Sequence, residues 1–308
     1  MSTTYNARKK PVKQPVYNFV PPTEKKILAF SGKIGAGKTS CCNFITALAL
    51  VHLIKDDNNE SLAPYGAFVN VNGQLAIFDE IGKENVISLK PHSATAQAWL
   101  STQLWPFIRL VSFADGLKEF CINMLGLQRE LVYGNQEDKN QPSNIRWENL
   151  PYSVYVDCNG KISTSFVNHN GELFDEKTRK QVFLKNGFMS IREVLEQVGS
   201  EVIRKIVPDA HVNGLVNTIN MSNTPFILVD DVRFLNEVKS IQSLQGKVIR
   251  LTRTTEENNK HESNTALNNV DDNIFDAVID NTNLDMDQTF GILMEKMIEL
   301  GFFEVINK

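Results

Sequence analysis

The chain has 308 residues, 42% hydrophobic and 22% charged, with a net charge of −4, which fits one large domain or two small ones and excludes a globally cationic, nucleic-acid-trapping surface. A spanning helix needs about 20 apolar residues; the best run, 44–54, is shorter and contains His52, so no membrane segment is expected. The four cysteines, Cys41, Cys42, Cys121 and Cys158, form no CxxC pair and read as reduced thiols in a cytoplasmic compartment, the host cytoplasm if the chain is viral.

Residues 1–22 carry Arg8, Lys9, Lys10 and Lys13, but Pro11, Pro15, Pro21 and Pro22 break any amphipathic helix, so a mobile arm is expected. The ordered domain is expected over 23–308. The run 26–31 reads as a buried strand, leading through a glycine loop into a helix over 38–53. The polar stretch 55–63 reads as a loop. Asn72-Gly73 between the runs 67–71 and 74–79 signals a hairpin. An apolar run at 108–113 precedes a helix over 115–125. Residues 134–150 read as a loop, and Asn159-Gly160 signals a second hairpin between 154–157 and 162–167. A helix follows over 190–206. The rest alternates: strand 226–229, helix 233–244, strand 247–251, polar loop 254–273, strand 277–280 and helix 285–300. Such alternation argues for an α/β fold with a parallel sheet covered on both faces, the hairpins being insertions at about 55–104 and 128–188.

The strongest motif is Gly32-Lys33-Ile34-Gly35-Ala36-Gly37-Lys38-Thr39, followed by Ser40. It fits G-x-x-x-x-G-K-[ST] between a predicted strand and a predicted helix. The glycines let several backbone N–H groups point at one phosphate, and the helix adds the positive end of its dipole. Lys38 then meets the β and γ phosphates of ATP, and Thr39 gives its hydroxyl to Mg²⁺. The strand 226–229 runs into Asp230 and Asp231, and such an acid can hold Mg²⁺ through water opposite Thr39. Arg233, Arg250 and Arg253 follow strand ends, where open α/β sheets bind ligands. Lys118, Arg192 and Arg204 add positive charge on helices; each alone also reads as a solvated cation, and Arg192 as a partner of Glu196 at i+4. The twelve residues from Arg192 to Arg204 would separate them by about 18 Å along an α-helix.

The order of the blocks GKIGAGKTS, SFADGLKE, LVYGNQEDKN, RWENLP, GFMSIREVLEQVGSEVIR, DDVRFLNEV, VIRLTR, HESNTALN and VIDNTNLD resembles the bacteriophage deoxynucleoside monophosphate kinases over about residues 26–300. The resemblance implies a P-loop nucleoside-monophosphate-kinase-like three-layer fold around a five-stranded parallel sheet. It implies ATP as donor, Mg²⁺ near Thr39 and Asp231, and Asp115, Lys118, Arg192 and Arg204 facing the acceptor nucleotide. Arg253 would close over the phosphates and Arg233 would serve the substrate. The chain departs from the family at Glu196, where glutamine is expected, and at His261-Glu262-Ser263-Asn264, where His-x-Ser-Glu is expected.

Three functions follow. The first is ATP-dependent phosphorylation of (deoxy)nucleoside monophosphates, with a small-molecule nucleotide as partner and homodimerisation left open. The second is a P-loop kinase acting on a hydroxymethylated base, with phage DNA as the partner. The third is a non-catalytic nucleotide-binding protein. Removing residues 1–22 is expected to leave turnover of free nucleotides unchanged, because the stretch has no periodicity and adds little to a core; the KM for ATP of the truncated chain checks this.

Overall fold

The computed structural model describes residues 24–53, 67–79, 81–163, 165–253, 267 and 270–303. The arm 1–22, the loop 55–63 and most of the stretch 254–273, with His261 and Glu262, lie outside the described residues.

The described chain is mixed α/β. Its central feature is a five-stranded parallel sheet flanked by helices. In chain order the sheet elements are β1 (Lys26–Gly32), β2 (Ile108–Val111), β3 (Phe226–Val232), β4 (Lys247–Leu251) and β5 (Ala277–Ile279). Their spatial order is β5-β4-β1-β3-β2, which puts β1 in the middle. Leu28, Ala29 and Phe30 of β1, and Ile227, Leu228 and Val229 of β3, are fully buried. That explains why both read as unbroken apolar runs rather than alternating ones. The β1–β3 ladder keeps register to Ala29↔Val229 and then slips, so that Ser31 meets Val232. Asp230 and Asp231 together oppose Phe30, the two-against-one count of a bulge.

The chain divides into two compact units. The first spans residues 1–87, 106–110 and 223–308 and holds the sheet. Its described helices are α1 (Lys38–Leu53), α3 (Leu235–Ser243) and α4 (Met286–Glu299), the α2 label being kept for Asp115–Leu125 of the second unit. Phe44 of α1 stacks on Phe290 of α4 with centroids 4.3 Å apart. Asp285 caps α4 by accepting from the Gln288 N–H. The first hairpin signal becomes a three-stranded antiparallel sheet of Ala67–Val69, Leu75–Phe78 and Glu84–Val86, packed on α1. Covered on two sides, α1 buries Cys41, Cys42, Ile45, Ala47, Ala49 and Leu50, as expected of a helix that is apolar all round.

The second unit spans 88–105 and 111–222 and has its own core of Cys121, Leu127, Val132, Tyr133, Trp147, Val154, Met189, Ile191 and Val194. The stretch 134–150, expected to be a loop, holds a helical turn (Gln136–Lys139), a strand (Pro142–Arg146) and a 3-10 turn (Trp147–Asn149). The strand pairs with Phe188–Ser190, so tertiary pairing overrides the Asn- and Gln-rich composition. The second hairpin signal pairs Tyr155–Asp157 with Ile162–Ser163, and Phe166–His169 pairs onward with Glu172–Asp175. The helix expected over 190–206 is α-helical at Ile191–Glu196, widens to a π-helix at Gln197–Ile203 and returns to α at Arg204–Ile206. Axial reckoning at α pitch therefore fails between Arg192 and Arg204. Within the π turn, a Cβ on Gly199 would stand 2.7 Å from Leu117 Cδ2 of α2, so the leucine side chain packs against the bare backbone of the π turn. The helix Ala210–Met221 completes the unit.

Among the described residues no helix is long and apolar enough to cross a membrane. Leu28→Ala, in the centre of the sheet, is expected to cost about 2–5 kcal/mol through the cavity it leaves. Urea denaturation of the variant against the parent measures it.

Candidate functional site

The loop leaving β1 turns tightly. Gly35 and Gly37 adopt φ of 78° and 95°, where a Cβ is strained, and the Ala36 N–H donates to the Lys33 carbonyl at 3.2 Å. Lys33 and Gly35 are the exposed residues of this turn, and Ile34 is half-buried. The α1 ladder begins when the Cys41 N–H donates to the Gly37 carbonyl at 2.9 Å. The N–H groups of Lys38, Thr39 and Ser40 fall in the first turn, where the helix supplies no acceptor of its own.

Lys38 folds back over the loop. Its Nζ donates to the Gly32 carbonyl at 2.7 Å and to the Lys33 carbonyl at 2.8 Å. Burial, and then the Arg233 guanidinium, push this ammonium down to about 8, against the opposing pull of Asp230 and Asp231. Thr39 donates its hydroxyl proton to Asp230 Oδ2 at 3.4 Å. The sequence reading gave the metal side to Asp231. The described contact to Thr39 comes from Asp230, and the bulge explains the difference, since an extra residue re-aims the side chains where the strand ends. Asp231 remains close enough for its charge to act on Lys38.

A cavity of about 260 Å³ opens beside this loop at the carboxyl ends of β1, β3 and β4, with Arg233, Arg250 and Arg253 in its wall. The three arginines differ in how they are held. Arg250 Nε pairs with Asp272 Oδ1 at 3.4 Å, and the guanidinium lies over the Phe275 ring. Arg253 is bonded to neutral oxygens, Nε to the Asn281 carbonyl at 3.2 Å and Nη2 to the Leu284 carbonyl at 3.1 Å. Its charge is therefore positioned without being cancelled by a carboxylate in these contacts.

Asn281 holds this loop, and motif reading passed over it. It is 1% exposed, and its Nδ2 donates to the Ala36 carbonyl at 2.9 Å. One residue thus pins the glycine loop by its side chain and Arg253 by its backbone. Its Oδ1 is buried without a partner, a cost of about 1–3 kcal/mol that the loop geometry imposes. The available signal was its place, directly after a strand in the block VIDNTNLD.

The remaining candidates lie in the second unit. Asp115 sits in the first turn of α2, where its Oδ2 accepts the Ser112 N–H at 2.8 Å and its Oδ1 accepts from Lys118 Nζ at 3.1 Å. Lys118 is 9% exposed and lies 4.9 Å from the centre of the Tyr133 ring. Beside them Arg129 grips Glu119 in a fork at 2.6 Å on both arms, and Tyr133 donates to Glu119 Oε1 at 2.8 Å. Although burial raises the Glu119 carboxyl, these bonds hold it below its usual range. Arg192 Nε donates to Asn140 Oδ1 at 3.2 Å and Nη2 donates to Gln136 Oε1, so its described partners are neutral amides rather than Glu196. Arg204 acts on His211, whose imidazole is pushed down by burial first and by that guanidinium second.

No protein-family model matches the chain, and no curated protein matches it.

The Lys38 ammonium has a pH signature. Its folded pKa, about 8, lies below the usual lysine value of 10.5, so the unfolded chain holds this proton more tightly. Between those values stability rises with pH, and below about 8 the penalty of burying the charge is fully present. Lys38→Met is expected to remove that rise, which shows as a smaller gain in denaturation midpoint for the variant than for the parent between about 8 and 10.5 on the pH scale, the span of this titration.

Proposed function

We propose that the chain is a P-loop phosphotransferase that moves the γ-phosphoryl group of ATP to a (deoxy)nucleoside monophosphate, in a fold of the nucleoside-monophosphate-kinase type. The observation that carries the reading is the joint placement of Lys38, Thr39 and Asp230 at the mouth of the glycine loop, beside a cavity walled by Arg233, Arg250 and Arg253. A polyphosphate needs several fixed donors and cations in one place, and little else on an enzyme has that demand.

Mg²⁺ fits the oxygens present. It usually takes one or two protein oxygens and completes its shell with phosphate and water. Thr39 Oγ1 and Asp230 would hold it. Bound there, it would neutralise charge on the β and γ phosphates. Lys38 exchanges the Gly32 and Lys33 carbonyls for phosphate oxygens, a better bargain for a desolvated ammonium. The first-turn N–H groups of α1 meet the same anion. Arg253, held by carbonyls alone in its described contacts, is directed at the charge that spreads over the transferring group. The oxygen between the β and γ phosphorus atoms leaves with the bonding pair, and an acceptor phosphate oxygen takes its place. That oxygen is already anionic, so no side-chain base is required.

In the second unit Arg192 is the ligand we assign to the acceptor monophosphate. It lies in the first turn of a capped helix and is oriented by Gln136 and Asn140 with its charge intact. Asp115, Lys118 and Arg204 are assigned to the acceptor nucleotide.

Release of ADP with each deoxynucleoside monophosphate tests the reaction. Lys38→Ala is expected to lower kcat by about 10²–10³-fold with the fold retained. Asp230→Asn is expected to weaken the Mg²⁺ dependence of kcat/KM more than Asp231→Asn does. Arg192→Ala is expected to raise KM for the acceptor far more than for ATP; equal effects on both substrates would remove it from the acceptor side.

A further inference from the structure

Phosphoryl transfer leaves the three-stranded sheet 67–86 without a role. Its first turn is rigid. Asn70 Oδ1 accepts the Asn72 and Gln74 N–H groups at 3.0 Å each, and the Asn70 carbonyl accepts the Gly73 N–H at 2.9 Å. Gly73 takes φ of 73°, which fits the turn. Leu75 and Ala76, fully buried, anchor the strand that follows.

The turn lands on the start of α1. Asn43 Nδ2 donates to the Gly73 carbonyl at 2.8 Å, and this bond is buried. A Cβ on residue 73 would stand 2.3 Å from Ser40 Oγ, 3.1 Å from Ser40 Cβ and 3.5 Å from Met286 Sδ. The hairpin backbone therefore lies against the residue that follows Thr39, so close that a side chain at 73 would displace Ser40. Ser40 and Asn43 are i and i+3 on one helix and share the face that the hairpin covers. The first turn of a helix lacks part of its own hydrogen bonding, so an outside contact decides its position.

We propose that this turn is a buttress for the phosphate loop, with Asn43 and Gly73 as positioning residues that fix Ser40 and, through it, the Thr39 hydroxyl that bears on the metal. The proposal rests on the nucleotide-binding reading above. A displacement of the order of 1 Å at Thr39 is enough to disorder a metal–phosphate arrangement.

The test is the ratio of ATP affinity in Mg²⁺ to that in EDTA, measured by calorimetry on the full chain together with its melting temperature. Gly73→Ala is expected to lose about tenfold of the Mg²⁺ advantage. Gly82→Ala is the control: it imposes a side chain at φ of 78° in the second turn of the same sheet, where a Cβ meets nothing within 4 Å. It is expected to lower the melting temperature comparably and to keep the Mg²⁺ advantage. Asn43→Ala leaves the turn's backbone angles alone, is expected to lose part of the advantage, and decides the matter if Gly73→Ala does not fold. If the parent binds ATP and both Gly73→Ala and Asn43→Ala keep its Mg²⁺ advantage, the buttress is overturned and the nucleotide reading stands. If the parent binds no ATP in either condition, the nucleotide reading falls and takes the buttress with it.

Discussion

An ammonium removed from water must find oxygens, and Lys38 finds them in the loop that carries it. Two carbonyls of that loop, from Gly32 and Lys33, solvate the charge. This requires a chain that turns back on itself within six residues, hence the glycines, and a helix beginning at Lys38 itself. It requires the loop to be held from outside as well, which Asn281 does through Ala36. Placing β1 in the middle of the sheet brings β3 and β4 alongside, so that the carboxylates near the end of β3 and the arginines at and just past the end of β4 come to the same loop.

The partners of the arginines sort them by use. Arg129 is neutralised by a two-armed grip on Glu119, and Arg250 is paired with Asp272. The first pair lies in the second unit, and Arg250 of the second stands in the wall of the cavity. Arg253 and Arg192 are held in their described contacts by carbonyl and amide oxygens, which orient a guanidinium and leave its charge available to an anion. A sequence shows that an arginine is present, but not which of these two conditions it is in.

The parts of the fold legible in the sequence were those fixed by local chemistry. Helix 38–53 begins at the end of a glycine loop, helix 115–125 ends at Gly126, which takes φ of 70°, and strand 247–251 is a compact β-branched run; all three fall where the sequence put them. The strand Pro142–Arg146 was hidden because its partner Phe188–Ser190 is distant in the chain. The π-helix Gln197–Ile203 has no signal in hydrophobic period, and the contact of Asp230 with Thr39 follows from a bulge that a strand pattern does not reveal. The cover on α1 was written there unread: a helix with cysteines, isoleucine and alanines on every side has more than one face to bury.

Gly199 carries a consequence for how this chain can drift. A glycine codon differs by one base from codons for alanine, serine, valine, aspartate, glutamate, arginine, cysteine and tryptophan, and every one of them adds a Cβ. At this position a Cβ would stand 2.7 Å from Leu117, beside Lys118 on α2. No single-base missense change at codon 199 leaves that contact as it is. The atom met is the end of a flexible side chain, so exchange at 199 obliges Leu117 either to turn aside or to become smaller, and the two codons are coupled. A lineage that changes one of them does so against the rotamer or the size of the other.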